Sequence, residues 1–386
     1  MSLLKDSSRI LGVMQNESSG SPPFTEASFC KKLCMAGQKH GVLVLIFCPL
    51  WVNRKTKTVR SYTYRLKQGW KEMITPIPQL VFDRLSFVDK EHFRKVQGAV
   101  SYLKRIQTKW LGIGLSGKWD VYRMLQGEEL LKKIMPETVL YQGNPHLADF
   151  INRHHGSVFL KPHGGSKGRS VLHVTRVYKA AHGSLPSEGI TIMVIEGRDW
   201  HNEPFVREFQ QPKDCLAWIG RFIGNRKFVM QPFLTLHTRD DKPYDVRVLM
   251  QKNESGRWTM TGMAARIGQP GAVTSNLHGG GHAVSLAPFL AEQFSTEESD
   301  RLIQELEAYS AIIPTAIEQQ HGRLVECGID FGIDQHARIW LLEVNSKPGR
   351  TVFTQTGDHE AAKQAVEKPI LYAKSIMVRH LRRVCP

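Results

Sequence analysis

Residues 324–349 read LVECGIDFGIDQHARIWLLEVNSKPG, two apolar runs around a polar centre. The runs at 325–333 and 338–345 have strand length, and 334–337 is turn-like, so the segment predicts a β-hairpin. Side chains alternate along a strand, which puts Leu341, Glu343 and Asn345 on one face. If the turn closes symmetrically with an even loop, Asp330 falls opposite Leu341 on that face. Asp330 and Glu343 are then diagonal neighbours, about 7–8 Å apart. Their carboxylates converge on a shared ion, and the Asn345 amide oxygen completes an all-oxygen set. Such a set suits magnesium, which takes one or two carboxylates together with phosphate oxygens and water. The alternative is a solvent-facing hairpin, but Asp, Glu and Asn between apolar strand residues run against β propensity.

At 386 residues the chain buries ample core, and its length suggests two or three domains. A hydrophobic content of 41% and a charged content of 23% are ordinary for a folded protein. No apolar run reaches the roughly 18 residues of a membrane helix. Residues 1–8 are polar and unlike a signal peptide, so the expectation is a cytoplasmic protein. The six cysteines show no CxxC pair. Cys30 and Cys34, four apart on an expected helix, have no matching pair to complete a zinc site, and scattered reduced thiols are expected. The net charge of +16 attracts polyanions, including nucleotides, nucleic acids and acidic polymers. The basic residues are spread out, densest at 54–71 and 374–383, and no RNA-binding aromatic signature accompanies them.

The first ~110 residues read as α/β: strands at 10–14, 42–48, 59–65 and 80–84, with a helix at 25–40. A strand-helix-strand opening favours a sheet with a right-handed crossover. Further along, strands are expected at 159–161 and 170–174, flanking the glycine-rich loop 163–169. Antiparallel partners are expected at 246–251 and 259–267. A helix is expected over 295–321, with Ser295 and Glu298 at capping-box spacing, Leu302, Leu306 and Tyr309 on one face, Pro314 as a kink and Gly322 as a stop.

Gly164, Gly165 and Gly168 let the backbone approach a ligand and donate amides to phosphate, although a plain tight turn uses the same residues. The spacing is not that of a Walker loop. Lys161 lies in an otherwise apolar strand and needs an anionic partner there. Lys118 opens a helix, where a surface lysine is the better reading from these residues alone. Arg247 and Arg266 lie on the two antiparallel strands and suit bidentate contacts to carboxylate or phosphate. His278 and His282, four apart beside three glycines, have no third ligand nearby for zinc.

In order, Lys161, the glycine-rich loop, Asp245-Val-Arg247, Arg266, SNLHGGG at 275–281, Asp330 and Glu343-Val-Asn345 resemble the ATP-grasp superfamily. The stretch 245–281 is similar to the RimK-type glutamate ligases. FDRL at 82–85, KWDVYRML at 118–125 and MPET at 135–138 resemble the YheC/YheD family, associated with endospore coats.

The resemblance implies an α/β ATP-grasp fold, with an N-terminal pre-ATP-grasp domain at 1–109 and an ATP-grasp domain at 110–386 whose lid spans about 138–230. It implies ATP and one or two Mg2+ (or Mn2+) as cofactors, and an unidentified carboxylate and amine, with an acidic substrate suiting the charge. It assigns Lys118 and Lys161 to phosphate, together with Gly164, Gly165, Ser166 and Gly168. Met230, Gln231, Pro232, Phe233 and Leu234 match the hinge that reads adenine, and Asp245 matches a ribose contact. Asp330, Glu343 and Asn345 match the metal ligands, and Arg247, Arg266 and Asn276 the catalytic side. The hinge departs from the family at Gln231 and Pro232, where an acid is usual. The implied activity is a carboxylate–amine ligase acting through an acylphosphate. Alternatives are a non-catalytic ATP-binding spore-coat assembly protein and, on charge alone, a nucleic-acid binder.

Overall fold

The computed structural model describes residues 9–86, 90–165, 168–180, 189–271 and 280–384. Among these residues the chain forms three sheets joined by helices, the α/β class expected from its strand and helix periodicities. The first sheet contains β1 (Ile10–Met14), β2 (Leu43–Phe47), β3 (Val52–Asn53), β4 (Thr58–Arg65), β5 (Gly69–Pro76), β6 (Leu80–Asp83) and β7 (Lys109–Trp110). β1 pairs in parallel with both β2 and β6, and its apolar run is buried accordingly. The crossover helix α1 (Ala27–His40) buries Cys30, Leu33 and Cys34 and stops at Gly41, whose φ of 70° suits glycine. α2 (Lys90–Arg105) precedes β7. Strand β5 was not anticipated; it pairs only with β4, at the sheet's edge, and much of it is exposed.

Helices α3 (Lys118–Leu125) and α4 (Glu129–Lys132) lead into the second, antiparallel sheet. It contains β8 (Val139–Leu140), β9 (Ser157–Pro162), β10 (Val171–Ala180), β11 (Gly189–Arg198), β12 (Pro204–Phe209) and β13 (Phe228–Pro232), ordered β12-β11-β10-β9-β13-β8. Helices α5 (Asn144–Arg153) and α6 (Pro212–Ile223) cover one face, where Leu147, Phe150, Ile219 and Met230 form a core.

The third sheet is ordered β16-β15-β14-β17-β18, from β14 (Tyr244–Lys252), β15 (Trp258–Ile267), β16 (His282–Ser285), β17 (Glu326–Ile333) and β18 (Ile339–Asn345). Helices α7 (Leu286–Gln293) and α8 (Thr296–His321) pack under it. The capping box at Ser295 and Glu298 forms, Leu302 and Leu306 are buried, and α8 runs unbroken through Pro314 to Gly322. After α9 (Thr351–Gln355), the C-terminal helix α10 (His359–Val384) bridges two cores. Ile370 and Ala373 join the first sheet's core with Leu33 and Val44, while Ala361 and Ala365 pack with Phe353 on the third sheet. No helix among the described residues is long and apolar enough to cross a membrane. Cys30, Cys34, Cys48, Cys215 and Cys327 are free and buried; Cys385 lies outside the described residues.

A buried charge network ties the first sheet to the third. Glu326 of β17 is fully buried and accepts from Arg84 at 3.0 Å, from Gln251 at 2.9 Å and from Arg350. Arg84 follows β6 and also holds Glu26 at 3.0 Å. Glu326→Ala strands two buried guanidiniums that share this counter-charge. The expected loss is about 3–5 kcal/mol in urea unfolding; a loss within about 0.5 kcal/mol, the range of an ordinary surface change, would refute the network's role.

Candidate functional site

The third sheet sends alternate residues of β14 to opposite sides. Tyr244, Val246 and Val248 enter the core above α7 and α8, so Asp245 and Arg247 face the other way, into a cleft. Register carries this face across three strands: Arg247 pairs with Asp330, and Asp330 pairs with Glu343. Arg266 on β15 lies opposite Asp245.

The diagonal arrangement expected for Asp330 and Glu343 is corrected: the two residues are directly opposed. Two one-residue changes produce this. Ile333 pairs with Ile339, so the turn holds five residues instead of four. Ala337 at φ 55° and the Asp334 carboxylate, which accepts from the His336 and Arg338 amides, close it. The register then slips between Asp330 and Phe331, leaving Leu342 as a β-bulge. Phe331 pairs with Leu341 and both are core residues, so Leu341 does not share the face of Glu343 and Asn345.

All three carboxylates on this face, Asp245, Asp330 and Glu343, are held by cations. Arg247 donates to Asp330 Oδ1 at 2.5 Å and Oδ2 at 3.0 Å, and Arg266 reaches Oδ2 at 3.1 Å. Burial pushes the Asp330 carboxyl up, but Arg247 and Arg266 outweigh it and hold it below the usual range. Both oxygens of Asp245 accept from Arg266, at 2.5 and 2.8 Å. Lys118 Nζ lies 3.2 Å from Glu343 Oε1 and donates to the Gly165 carbonyl at 2.9 Å. The oxygen set of Asp330, Glu343 and Asn345 fits a hard divalent ion. No group of three His, Cys, Asp or Glu suited to a metal forms among the described residues, so phosphate and water would have to complete the shell.

The second sheet roofs the cleft. Leu160 and Met230 enter its core, which turns Lys161, Phe159, Val229 and Gln231 toward the cleft. Lys161 is buried and donates to the carbonyl of the bulged Leu342 at 3.1 Å. Burial lowers its pKa to about 8, against the opposing pull of Glu343. In the glycine-rich loop, Gly165 (φ 124°) and Gly168 (φ 68°) adopt backbone conformations open to glycine, whereas a Cβ on Gly164 would meet nothing. His163, unremarked from sequence, links loop and helix: its carbonyl accepts from the Lys118 amide and its Nδ1 from the Trp119 amide. A Cβ at Gly117 would come within 2.4 Å of its ring. Phe233 stacks on His173 with ring centroids 3.5 Å apart, and Gln231 donates to Thr138 at 2.7 Å.

The cleft measures about 780 Å³ and reaches the first sheet at Glu26 and Arg84. It is lined by Lys32, Arg84, Lys118, Lys161, Arg169, Arg247, Arg266, Lys347 and Arg350 against Glu26, Asp245, Asp330 and Glu343. Among the described residues, nine cations against four anions favour an anionic occupant. Of the residues singled out from sequence, Lys118, Lys161, Gly165, Gly168, Gln231, Pro232, Phe233, Leu234, Asp245, Arg247, Arg266, Asp330, Glu343 and Asn345 line this one cleft. The Met230 side chain points away from it, into the second sheet's core. Ser166, Asn276 and His278 lie outside the described residues.

Residues 107–376 match the family model for YheC/D like ATP-grasp. The chain is 26% identical over 327 residues to the endospore coat-associated protein YheC of Bacillus subtilis (strain 168), covering 84% of this chain and 86% of that one. It is 27% identical over 358 residues to the endospore coat-associated protein YheD of the same organism, covering 91% and 74%. Among solved structures, D-cycloserine synthetase DcsG superposes with a TM-score of 0.51 at 12% identity, covering 96% of this chain and 99% of that one, which is a likeness of fold.

Lys161 gives the cleft a measurable signature. Below pH 8 it is charged in both folded and unfolded chains, so the full cost of burying its charge acts on the native state. Between about pH 8 and 10.5 the native chain loses that proton first, and the cost fades. Lys161→Met is therefore expected to exceed wild type in stability at pH 7, by at most roughly 3 kcal/mol. The difference should close toward pH 10.5 in urea unfolding series; a pH-independent difference would contradict the assigned desolvation.

Proposed function

The chain belongs to the YheC/D-like ATP-grasp family, and from that premise we propose that it is an ATP- and Mg2+-dependent ligase joining a carboxylate to an amine. The observation that carries the proposal is the direct pairing of Asp330 with Glu343 beneath Lys118 and Lys161, in a cleft with a cationic excess. In this reading residues 1–109 form the pre-ATP-grasp domain, 110–386 the ATP-grasp domain, and about 138–230 its lid.

Each side chain then has a physical task. Lys118, Lys161 and the Gly164–Gly168 loop receive the phosphates of ATP. The hinge, Met230 to Leu234, lies along the base, with Phe233 held as an apolar plate by His173. Asp330, Glu343 and Asn345 would hold one or two Mg2+ (Mn2+ would serve), which would supply neutralisation of phosphate charge. Arg266 faces the transferring phosphoryl group, and Arg247 the substrate carboxylate. Asp245, expected at the ribose, grips Arg266 through both oxygens and so orients it. The substrate carboxylate attacks the γ-phosphorus as ADP leaves, and an amine displaces phosphate from the acylphosphate. Catalysis is positioning and charge neutralisation. The far end of the cleft, with Lys32, Lys347 and Arg350, suits an acidic substrate.

The names of the two curated relatives favour a second reading, in which this chain associates with a spore coat and binds ATP without turning it over. ADP release across a panel of carboxylates and amines separates the two. Asp330→Asn and Glu343→Gln are each expected to lower ATP turnover by about 100–1,000-fold. Unchanged turnover would sink the metal assignment. Tight ATP binding with no ADP release from wild type would favour the coat-assembly reading. Salt-sensitive binding to DNA or RNA that survives Asp330→Asn would revive the nucleic-acid reading.

A further inference from the structure

Helix α3 begins without a cap of its own. Gly117 stands at the N-cap position with extended backbone and no side chain to offer, so the first amides of the helix need acceptors from elsewhere. His163, which follows β9 in the roof, supplies two. Its carbonyl accepts from the Lys118 amide at 2.9 Å, and its Nδ1 accepts from the Trp119 amide at 3.3 Å. The His163 amide donates to the Lys227 carbonyl at 2.9 Å, just before β13, which anchors the residue on the roof side. Helix α3 belongs to the floor, because Val121 and Leu125 enter the core under the third sheet. The tip of Lys118 returns to the same loop and donates to the Gly165 carbonyl at 2.9 Å. Lys118 is thus bound at both ends to residues 163–165, once through its amide and once through Nζ. Gly117 permits the approach: a Cβ there would stand 2.4 Å from the His163 ring and 2.8 Å from its carbonyl oxygen.

We propose that His163 is a positioning residue of the phosphate site, a helix cap supplied from the roof that sets Lys118 and the glycine-rich loop against each other, and that it serves only as the neutral imidazole. The proposal rests on the nucleotide-binding reading above and adds to it a residue that acts through Lys118. A backbone N–H is always a donor, so Nδ1 carries a lone pair and the ring proton sits on Nε2. Nε2 faces the Asp120 carboxylate of α3, 3.6 Å away. Protonation would set a second N–H against that of Trp119 and break the cap. The charged groups around the ring are Asp120 and Lys118 of α3 and Lys227 beside β13. Burial, with Lys227 and Lys118, outweighs Asp120 and holds the ring below the usual histidine range. The cap is therefore intact at neutral pH and is lost as the pH falls through that lowered value.

The test is equilibrium binding of ATP with Mg2+ by calorimetry on the full chain, in a series from about pH 7.5 down to about pH 5. His163→Asn sets an amide oxygen where Nδ1 stands, an acceptor that does not titrate. It should match wild type within about 3-fold at the upper end of the series. Toward the lower end wild type should fall behind it by about 3-fold or more, and the titration of ATP itself, common to both, cancels from the comparison. His163→Leu keeps the bulk and removes the acceptor, so it should bind about 10-fold more weakly than wild type at the upper end. If His163→Leu does not fold, Gly117→Ala, whose Cβ pushes the imidazole away, takes its place with the same loss expected. Wild-type affinity in the variant used, or parallel pH curves for wild type and His163→Asn, would overturn the proposal while leaving nucleotide binding intact. No binding of ATP by wild type at any pH would instead overturn the nucleotide-binding reading, and the proposal with it.

Discussion

With Leu342 bulged out between the pairs Asp330–Glu343 and Phe331–Leu341, β18 serves two environments that a regular strand could not. Val344 and Leu341 enter the core three residues apart, while Glu343 and Asn345 face the cleft. The same irregularity frees the Leu342 carbonyl to accept from Lys161, so the roof of the cleft is bonded to its floor at the bulge. Bulges commonly re-aim side chains beside active sites, and here one re-aims a carboxylate and a carbonyl together. Without it, the five-residue turn alone would set Leu342 opposite Asp330 and turn Glu343 toward the core.

The cleft concentrates charge at a depth where unpaired charge is costly, and the arrangement of partners answers that cost. Arg266 spans Asp245 and Asp330, and Arg247 takes both oxygens of Asp330. Farther along the same face, Glu326 neutralises Arg84 and Arg350 together. These networks differ in consequence. The Glu326 network is buried and joins two sheets, so it holds the first sheet at the end of the cleft. Asp245, Arg247, Arg266 and Asp330 all line the cleft, whereas Glu326 itself lies beneath it and only its partners Arg84 and Arg350, with Glu26, reach the lining.

Legibility followed the range of the interaction that decides each feature. The capping box at Ser295, the β14–β15 pairing and the parallel β1–β2 opening all express local periodicity or short separation, and their residues carried the signal. The hairpin itself was legible, but its parity was not. Whether a turn holds four residues or five depends on Ala337 accepting a left-handed backbone, which its type does not announce. The bulge depends on what packs beneath Leu341 and above Leu342. The contacts of Thr138 and His163 were not legible because their partners lie 93 residues away at Gln231 and 44 residues away at Trp119. Strand β5, half polar and at an edge, lacked the burial pattern that marks a strand.

The pair Asp330 and Glu343 shows the division. The amino-acid sequence alone determined that two carboxylates and an amide would stand on neighbouring strands, because apolar alternation commits 325–345 to a hairpin whatever surrounds it. It also determined an excess of cations and the glycines of the β9–β10 loop. The tertiary structure decided that the carboxylates oppose each other directly, which arginines grip them, and which way the Gln231 amide faces. Those outcomes turn on single-residue register and on the direction of individual hydrogen bonds. They are set by contacts between segments distant in the chain, where alternation along one strand carries no information.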